Sequence, residues 1–256
     1  MLDSSTITAP LVFLHIPKTA GQTVHNELAK AVGPSNVSPI RVHSQASMAK
    51  DQFPAGYRLY SGHLDWSDLD HIAHPRFTFS ILRDPRERIA SFYFYLMKDA
   101  KALSNEARKA PENIGKRTIL EQSADDYFFG GSDAWRAFIL DHYENFYCRY
   151  LASQKIRAGL AFGAQSNRKK LRLALRNLHK IDWIYSIDNL AALESDLKDL
   201  YGFELDFDET RTNSGDRPTA ERRWPRLLEQ LEHDSSRSKL EAFVELDLAL
   251  MDRLEL

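Results

Sequence analysis

The fold of this chain is decided by residues 11–23, which read LVFLHIPKTAGQT. The apolar run LVFLHI stops at Pro17. Apolar residues then recur at four-residue spacing, at Val24, Leu28 and Val32. A short apolar run followed by helical periodicity is typical of a buried strand, a tight loop and an amphipathic helix. The sequence therefore predicts a β-strand that is joined to an α-helix by a polar loop.

The same alternation continues along the chain. Apolar runs predict further strands over residues 58–62, 77–82 and 181–187. Helical spacing predicts a helical middle third and helices over residues 85–102, 189–200 and 229–254, the last with a break near 234–236. Strands that alternate with helices indicate an α/β fold with a central parallel sheet flanked by helices.

Two polar stretches interrupt this pattern. Residues 103–117 contain a proline and a glycine, and residues 208–223 are rich in arginine. Because proline and glycine break regular structure, both stretches are predicted to be surface loops. The helical residues from about 103 to 180 are interpreted as an insertion or lid on a single domain that covers residues 1–256.

Composition and charge exclude several classes of protein. The 256 residues include 34 Lys and Arg against 36 Asp and Glu, a formal net charge of −2. A nucleic-acid-binding protein usually has a large basic excess, so no nucleic acid is expected as a partner. The apolar runs fall short of the roughly 20 residues that a membrane span needs, so no membrane span is expected. With no secretory signal before Leu11 and a single cysteine, Cys148, the sequence predicts a cytoplasmic protein.

The loop at residues 15–23 has the composition of an anion site. At the start of a helix, free backbone N–H groups and the positive end of the helix dipole attract a phosphate. Lys18 adds a positive charge, Gly21 permits close approach of the backbone, and two threonines add hydroxyl donors. The loop is not a Walker A motif, because its lysine precedes its glycine by three residues. The alternative is an ordinary strand-to-helix turn with an exposed lysine.

A second candidate phosphate site follows the third predicted strand, where residues 82–95 read LRDPRERIASFYFY. Arg83 lies at the end of the strand, where open α/β sheets bind their ligands. Ser91 lies roughly two helical turns further on. A guanidinium and a hydroxyl group at this spacing can grip one phosphate together. Arg86 and Glu87 are interpreted instead as part of a solvated charged face with local ion pairs.

The two motifs in combination resemble those of the sulfotransferases. The resemblance rests on PKTAGQT at residues 17–23 and RDPRERIASFY at residues 83–93. It is closest to the carbohydrate branch, which includes the heparan 2-O-sulfotransferases and bacterial relatives of that type. Three further segments resemble parts of that family, namely SGHLDW at 61–66, ENFYCRYLAS at 144–153 and RTNSGDRP at 211–218.

The resemblance implies a P-loop-NTPase-like architecture and a particular donor, 3′-phosphoadenosine 5′-phosphosulfate (PAPS). Arg83 and Ser91 are expected to hold the 3′-phosphate of PAPS. Arg211 and Asn213 belong to a late polar loop that closes over the nucleotide in this family. The 5′-phosphosulfate is expected to contact the residues of the first motif, Pro17, Lys18, Thr19, Ala20, Gly21, Gln22 and Thr23. Gln22 departs from the family pattern, because many relatives have serine or threonine there.

The protein has three tasks in sulfuryl transfer. It must position donor and acceptor, remove the acceptor proton, and stabilise the charge that grows on the bridging oxygen of the leaving phosphate. Lys18 is suited to stabilise that charge. His63, which follows a predicted strand and matches a family segment, is the candidate base, because histidine titrates near neutral pH. A structural role is the alternative for His63. Asp65 is a reserve candidate for the base or for orienting His63, and His15 is predicted to be a buried structural histidine.

The acceptor is less defined. A small-molecule or oligosaccharide hydroxyl is expected, with a carbohydrate favoured. Arg149 can contact the donor or the acceptor, or form an ion pair with Asp141 or Glu144. No group of His, Cys, Asp or Glu with metal-ligand spacing stands out, so no metal is expected. The alternatives are a phosphate-loop kinase-type transferase and a non-catalytic nucleotide- or glycan-binding protein of the same fold.

Overall fold

Four parallel strands form the central sheet in the part of the chain that the computed structural model describes, residues 9–207 and 222–256. The strands are β1 (Leu11–Leu14), β2 (Leu59–Gly62), β3 (Phe77–Leu82) and β4 (Trp183–Ser186). They lie in the order β2-β1-β3-β4, and each neighbouring pair is parallel. The predicted α/β class with a parallel sheet is therefore confirmed.

Helices flank the sheet and extend beyond it. In chain order they are α1 (Gly21–Val32), α2 (Pro85–Ala102), α3 (Asn105–Lys109), α4 (Ile114–Glu121), α5 (Ala124–Phe129), α6 (Asp133–Tyr143), α7 (Phe146–Ser153), α8 (Gly159–Gly163), α9 (Asn167–Asn177), α10 (Leu190–Tyr201), α11 (Arg223–Leu228), α12 (Asp234–Ala242) and α13 (Glu245–Arg253). The bounds of α2 match the prediction. Its N-terminus is capped by the Asp84 carboxylate, which accepts from the N–H groups of Arg86 and Glu87.

The sheet is buried on both faces, as the alternation along β1 shows. Leu11 and Phe13 pack in an apolar cluster with residues of α1 and α10. Val12 and Leu14 pack on the opposite face with residues of α7, α9 and α13. Successive side chains of a strand point to opposite faces, so all four residues of this central strand contribute to a core. The end of β1 is therefore a rigid base for the loop that follows it.

The predicted loop over residues 103–117 is wrong, because α3 and α4 occupy most of it. The Ser104 hydroxyl caps α3 by accepting from a backbone N–H at 3.2 Å. Ile119 of α4 is buried in a third apolar cluster, which lies among α2, α4, α5, α6, α11 and α12. Pro111 precedes α4 and Gly115 lies inside it, so residues that usually break helices gave a false loop signal.

The predicted helix over residues 229–254 is divided into α12 and α13. Residues 229–233 are not helical, and the predicted break near 234–236 is wrong because those residues form the first turn of α12. The break between α12 and α13, at Phe243 and Val244, was not predicted. At this break, the Asn145 N–H donates to the Phe243 carbonyl at 2.6 Å. The Asn145 side chain accepts from the Leu246 N–H at 2.8 Å. Asn145, about 100 positions away, thus satisfies the hydrogen-bonding groups that the break leaves unpaired. Local periodicity could therefore not reveal this break.

The segment 37–43 runs beside β2 and forms two isolated parallel bridges with the strand and the residue after it. The His63 N–H donates to the Arg41 carbonyl at 2.8 Å, and the His43 N–H donates to the His63 carbonyl at 2.8 Å. Gly62, the last residue of β2, permits this close approach. A methyl group at Gly62 would overlap the carbonyl group of Arg41.

Replacing this glycine is expected to destabilise the fold. Gly62→Ala should lower the free energy of unfolding by about 1–3 kcal/mol, because the overlapped group is backbone and cannot rotate away. Gly115→Ala is the matched control, since a methyl group there would meet only the edge of the Phe138 ring at 3.3 Å. In a helix the added methyl group itself favours folding by up to about 1 kcal/mol. Urea unfolding of both variants measures the difference, and equal stabilities would contradict the packing described for Gly62.

Candidate active site

Three candidate groups follow three neighbouring strands. Lys18 follows β1, His63 follows β2 and Arg83 follows β3. Because β2, β1 and β3 are adjacent and parallel, their carboxyl ends meet at one edge of the sheet. The structure thus brings the two phosphate motifs and the candidate base to one edge, as the binding of a single nucleotide beside an acceptor requires.

The loop between β1 and α1 has a strained backbone. Lys18 and Ala20 have positive φ angles of 74° and 62°, in the left-handed region. Each non-glycine residue in this region costs about 1–3 kcal/mol, and such residues cluster at ligand-binding sites. α1 begins directly afterwards at Gly21, so the first N–H groups of this 12-residue helix adjoin the loop.

Side chains inside the loop maintain its shape, which corrects the expectation for Thr19. The Thr19 hydroxyl is fully buried and donates to the Ile16 carbonyl at 2.9 Å, so it is not available to a phosphate. Gly21 has a packing role in addition to the predicted close approach to a ligand. The ring of His15 packs against it, and a methyl group would overlap that ring.

The remaining residues of the first motif lie nearer the surface. Pro17, Ala20 and Thr23 are half-buried, whereas Gln22 is exposed. The Gln22 amide donates to the Asn26 side chain at 2.8 Å, along the first turns of α1. Of the two threonines in the motif, Thr23 is therefore the one whose hydroxyl group is not buried inside the loop.

Lys18 reaches the helix that carries the second motif. Its Nζ lies 4.0 Å from the centre of the Tyr95 ring on α2, a cation–π contact. Tyr95 is 47% exposed, although aromatic residues at helical spacing in this part of α2 indicate core positions. Ser91 lies four residues before Tyr95 and is half-buried on the same face of α2. Lys18 and Ser91 thus border one helix face, and Tyr95 is a site residue that sequence reasoning missed.

Arg83 is half-buried and held by two neighbours. Its N–H donates to the Tyr147 hydroxyl at 3.3 Å, and that hydroxyl donates to the Arg83 carbonyl at 2.8 Å. Its guanidinium donates to the Glu87 carboxylate at 3.3 Å. Glu87 is buried, which corrects the expectation of a solvated residue. Arg86 forms an ion pair with Glu241 at 2.9 Å, so its partner is 155 residues away in the chain and is not the local one that was expected.

His63 is oriented by the end of β1. Its Nδ1 lies 2.8 Å from the His15 carbonyl oxygen. A carbonyl oxygen only accepts, so Nδ1 carries the proton and Nε2 has the free lone pair. Burial lowers the pKa of His63, the hydrogen bond to His15 opposes that effect, and Arg41 lowers the pKa further. The ring is therefore neutral at pH 7 and can accept a proton at Nε2.

A second cation, Arg41, lies beside His63 and was missed by sequence reasoning. The Arg41 guanidinium contacts the His25 ring, whose Nδ1 lies 3.1 Å from the Ser61 hydroxyl. Burial and Arg41 together lower the pKa of His25 to about 4. Burial, followed by the neighbouring His63, lowers the pKa of His15 well below its ordinary value. His15, His25 and His63 are therefore neutral at pH 7, and Arg41 and Lys18 are the positive charges beside them.

Two other candidate residues serve the fold in this structure. The Asp65 carboxylate accepts from the Ile156 N–H at 2.8 Å. Arg149 is buried and forms ion pairs with Asp141 and with Glu144, the latter at 3.1 Å. Both side chains use their charges on protein partners. Arg149 thus forms the ion pairs with Asp141 and Glu144 that were the predicted alternative to contact with a ligand.

The opposite end of the sheet edge is acidic. Asp84, Asp188 and Asp252 line an open groove beside β4 and α13. Carboxylates repel a phosphorylated ligand, because like charges at short distance are unfavourable. Asp84 directly follows Arg83, and Asp188 interacts with Arg83, so the groove adjoins that arginine. An anionic donor is therefore expected to extend from Arg83 towards Lys18, away from the groove.

Further expectations concern a late loop, a metal and a membrane span. Arg211 and Asn213 lie outside the described residues, as does most of the predicted loop over 208–223. Within residues 9–207 and 222–256, no group of three or more His, Cys, Asp or Glu side chains is placed to hold a metal ion. In the same part of the chain, no helix has both the length and the apolar character to cross a membrane.

The family assignment agrees with this geometry. The model of the sulfotransferase family matches residues 7–255, and the chain therefore belongs to the sulfotransferase family. A comparison with curated proteins finds none that matches the chain. The protein is a sulfotransferase enzyme, so its chemistry is the transfer of a sulfuryl group from a sulfonate donor.

The protonation state of His63 is directly testable. We expect the Nδ1–H tautomer and a pKa below the ordinary histidine value of 6.5, because burial disfavours the charged ring. A pH titration of ring ¹⁵N shifts in the histidine-labelled protein measures both properties. The signals are assigned from their loss in His63→Gln. A ring protonated at Nε2, or a pKa above 6.5, would contradict the geometry at the end of β1.

Proposed function

We propose that this sulfotransferase moves a sulfuryl group from PAPS to the hydroxyl group of a carbohydrate acceptor. The observation that carries the proposal is the convergence of Lys18, His63 and Arg83 at the ends of three adjacent parallel strands. The resemblance of the two motifs to the heparan 2-O-sulfotransferase-like branch, of bacterial type, supports a carbohydrate as acceptor. Transfer is in line, with His63 as base and without a metal.

The donor is proposed to bind across β1 and β3. The N-terminus of α1 and Lys18 attract its 5′-phosphosulfate, because helix N-terminal N–H groups and an ammonium group both favour an anion. Arg83 and Ser91 bind its 3′-phosphate, the guanidinium through several N–H donors and the hydroxyl through one. The contact of Lys18 with Tyr95, one turn beyond Ser91, supports the placing of both phosphates along α2.

In the proposed reaction, the acceptor oxygen attacks sulfur while the bond from sulfur to the bridging phosphate oxygen breaks. His63 Nε2 takes the proton of the acceptor hydroxyl, and Lys18 neutralises the charge left on the bridging oxygen. The products are the sulfated acceptor and adenosine 3′,5′-bisphosphate. A sulfuryl group carries less negative charge than a transferring phosphoryl group, which reduces the need for a metal to clamp it.

The carbohydrate acceptor is proposed to lie above His63 and to extend towards Lys18. Tyr95 offers an exposed aromatic ring beside Lys18, and a ring of this kind provides a flat apolar surface for a sugar. The neutral His63 ring leaves Nε2 available to a hydroxyl group of the acceptor. A small-molecule alcohol remains within the same proposal, because the proton-accepting group is the same.

The 3′-phosphate contact predicts nucleotide selectivity. Adenosine 3′,5′-bisphosphate is expected to bind about ten- to a hundredfold more tightly than adenosine 5′-monophosphate, because hydrogen bonds to charged groups contribute about 1.5–3 kcal/mol. Arg83→Met should remove most of this preference. Arg86→Met, three residues further on and paired with Glu241, is the matched control and should keep it. Calorimetry measures the affinities of the native protein and both variants for the two nucleotides. Equal affinity of the native protein for both nucleotides would remove Arg83 and Ser91 from the donor site.

Variants of Lys18 and His63 test two different roles, stabilisation of the leaving phosphate and removal of the acceptor proton. Lys18→Ala should lower turnover by about 10²–10³-fold, because it removes a donor aimed at the growing charge. His63→Ala should lower turnover by about 10²–10⁴-fold and leave the affinity for adenosine 3′,5′-bisphosphate unchanged. Turnover is measured with radiolabelled PAPS and a panel of mono- and oligosaccharides. Near-native turnover in either variant would end its proposed role, and for His63 would move the base to another group.

A further inference from the structure

Glu87 makes contacts that a residue on a solvated face would not make. It lies in the first turn of α2 and is buried. Its Oε1 accepts from the Trp224 N–H at 2.8 Å. Its Oε2 accepts from the Arg223 N–H at 3.1 Å and from the Arg83 guanidinium at 3.3 Å. One carboxylate thus joins a candidate phosphate-binding arginine to the backbone at the start of α11.

The two backbone contacts fix the orientation of the carboxylate. The N–H groups of Arg223 and Trp224 belong to a helix start and cannot rotate away, and the Trp224 side chain is buried in the third apolar cluster. A second carboxylate, Glu241, holds the same helix through the Trp224 indole N–H at 3.0 Å. Glu87 is therefore held by backbone groups on one side, so its Oε2 is a fixed acceptor for Arg83 on the other.

We propose that Glu87 is a positioning residue for the donor 3′-phosphate, acting through Arg83. This inference rests on the proposed function, which assigns the 3′-phosphate to Arg83 and Ser91. Glu87 does not touch the phosphate. It holds the Arg83 guanidinium in one orientation before the nucleotide arrives, while the Tyr147 hydroxyl fixes the Arg83 backbone.

Positioning and charge neutralisation by Glu87 have opposite effects on phosphate binding. A guanidinium has five N–H donors, and Glu87 accepts from one of its nitrogens, which leaves donors for a phosphate. Immobilising a flexible side chain on binding costs about 0.5–1.5 kcal/mol, a cost that an arginine already held in place does not incur. The negative charge of Glu87 also weakens the attraction of Arg83 for an anion. The inference is that positioning outweighs this electrostatic loss, because the backbone of α11 fixes the carboxylate.

The test replaces in turn the two carboxylates that contact α11, Glu87 and Glu241. Glu87→Gln removes the charge and one acceptor oxygen next to Arg83. Glu241→Gln makes the same chemical change on the other carboxylate, which contacts Arg86 and the Trp224 indole instead. Calorimetry gives the affinities for adenosine 3′,5′-bisphosphate and for adenosine 5′-monophosphate. We expect the ratio of the two affinities to fall by up to about tenfold in Glu87→Gln and to stay at the native value in Glu241→Gln.

Two further variants separate positioning from a general loss of structure. In the Arg83→Met background, Glu87→Gln is expected to cause no further change in the affinity ratio, because the residue through which it acts is absent. Glu87→Asp keeps the charge but shortens the side chain, and is expected to give an intermediate ratio. Thermal unfolding checks that each variant is folded, and Glu87→Asp replaces Glu87→Gln in the comparison if the latter is not.

The outcomes distinguish this inference from the proposed function. A native protein that binds both nucleotides equally would contradict the proposed 3′-phosphate site itself. A native protein that discriminates, together with a Glu87→Gln variant whose ratio is unchanged or higher, would overturn the positioning role alone. An equal fall in Glu241→Gln would also overturn it, because anchoring of α11 would then account for the effect.

Discussion

The hydrogen-bonded pairing of β1 with β2 on one side and β3 on the other is the constraint on which the site depends. The register places Phe13 of β1 opposite Ser61 of β2 and Phe79 of β3. All three strands run in the same direction, so the residues that follow them emerge together. Burial of β1 on both faces makes this register costly to change, since a slip of one residue would exchange its two apolar faces. Lys18, His63 and Arg83 share an edge because of this pairing.

His15 connects the loop to the proposed base. Its N–H donates to the Gly62 carbonyl at 3.1 Å, which ties the end of β1 to the end of β2. Its carbonyl sets the tautomer of His63, and its ring fills the space beside Gly21. A residue that sequence reasoning treats as structural therefore determines where the proton-accepting nitrogen points and how the loop enters α1. Its burial confirms the structural interpretation, and its contacts show what that structure does for the site.

Arginines that look alike in the sequence differ in how deeply the structure buries them. Arg83, Arg86 and Arg149 each have a carboxylate partner, yet the side chain is 36% exposed in Arg86, 20% exposed in Arg83 and 4% exposed in Arg149. A surface pair contributes little, whereas a buried charge is costly unless it is paired. Burial therefore distinguishes the solvated pair of Arg86 from the structural pairs of Arg149 and from Arg83 at the proposed donor site. Glu87 belongs to the buried class because α11 covers it.

The α/β class, the four strands and the bounds of α2 were all readable from the sequence, as were the two motifs proposed to bind phosphate. Apolar periodicity and the order of polar groups after a strand are local properties, and they survive folding unchanged. The positions of Arg41, Tyr95 and Glu87 at the site depended on the tertiary structure, as did the helices within 103–117 and the break at Phe243. These features arise from contacts between distant segments, such as residues 41–43 against His63 and Asn145 against Phe243. The spacing of residues within one segment does not show which distant segment will pack against it. Only the folded chain could therefore reveal these contacts.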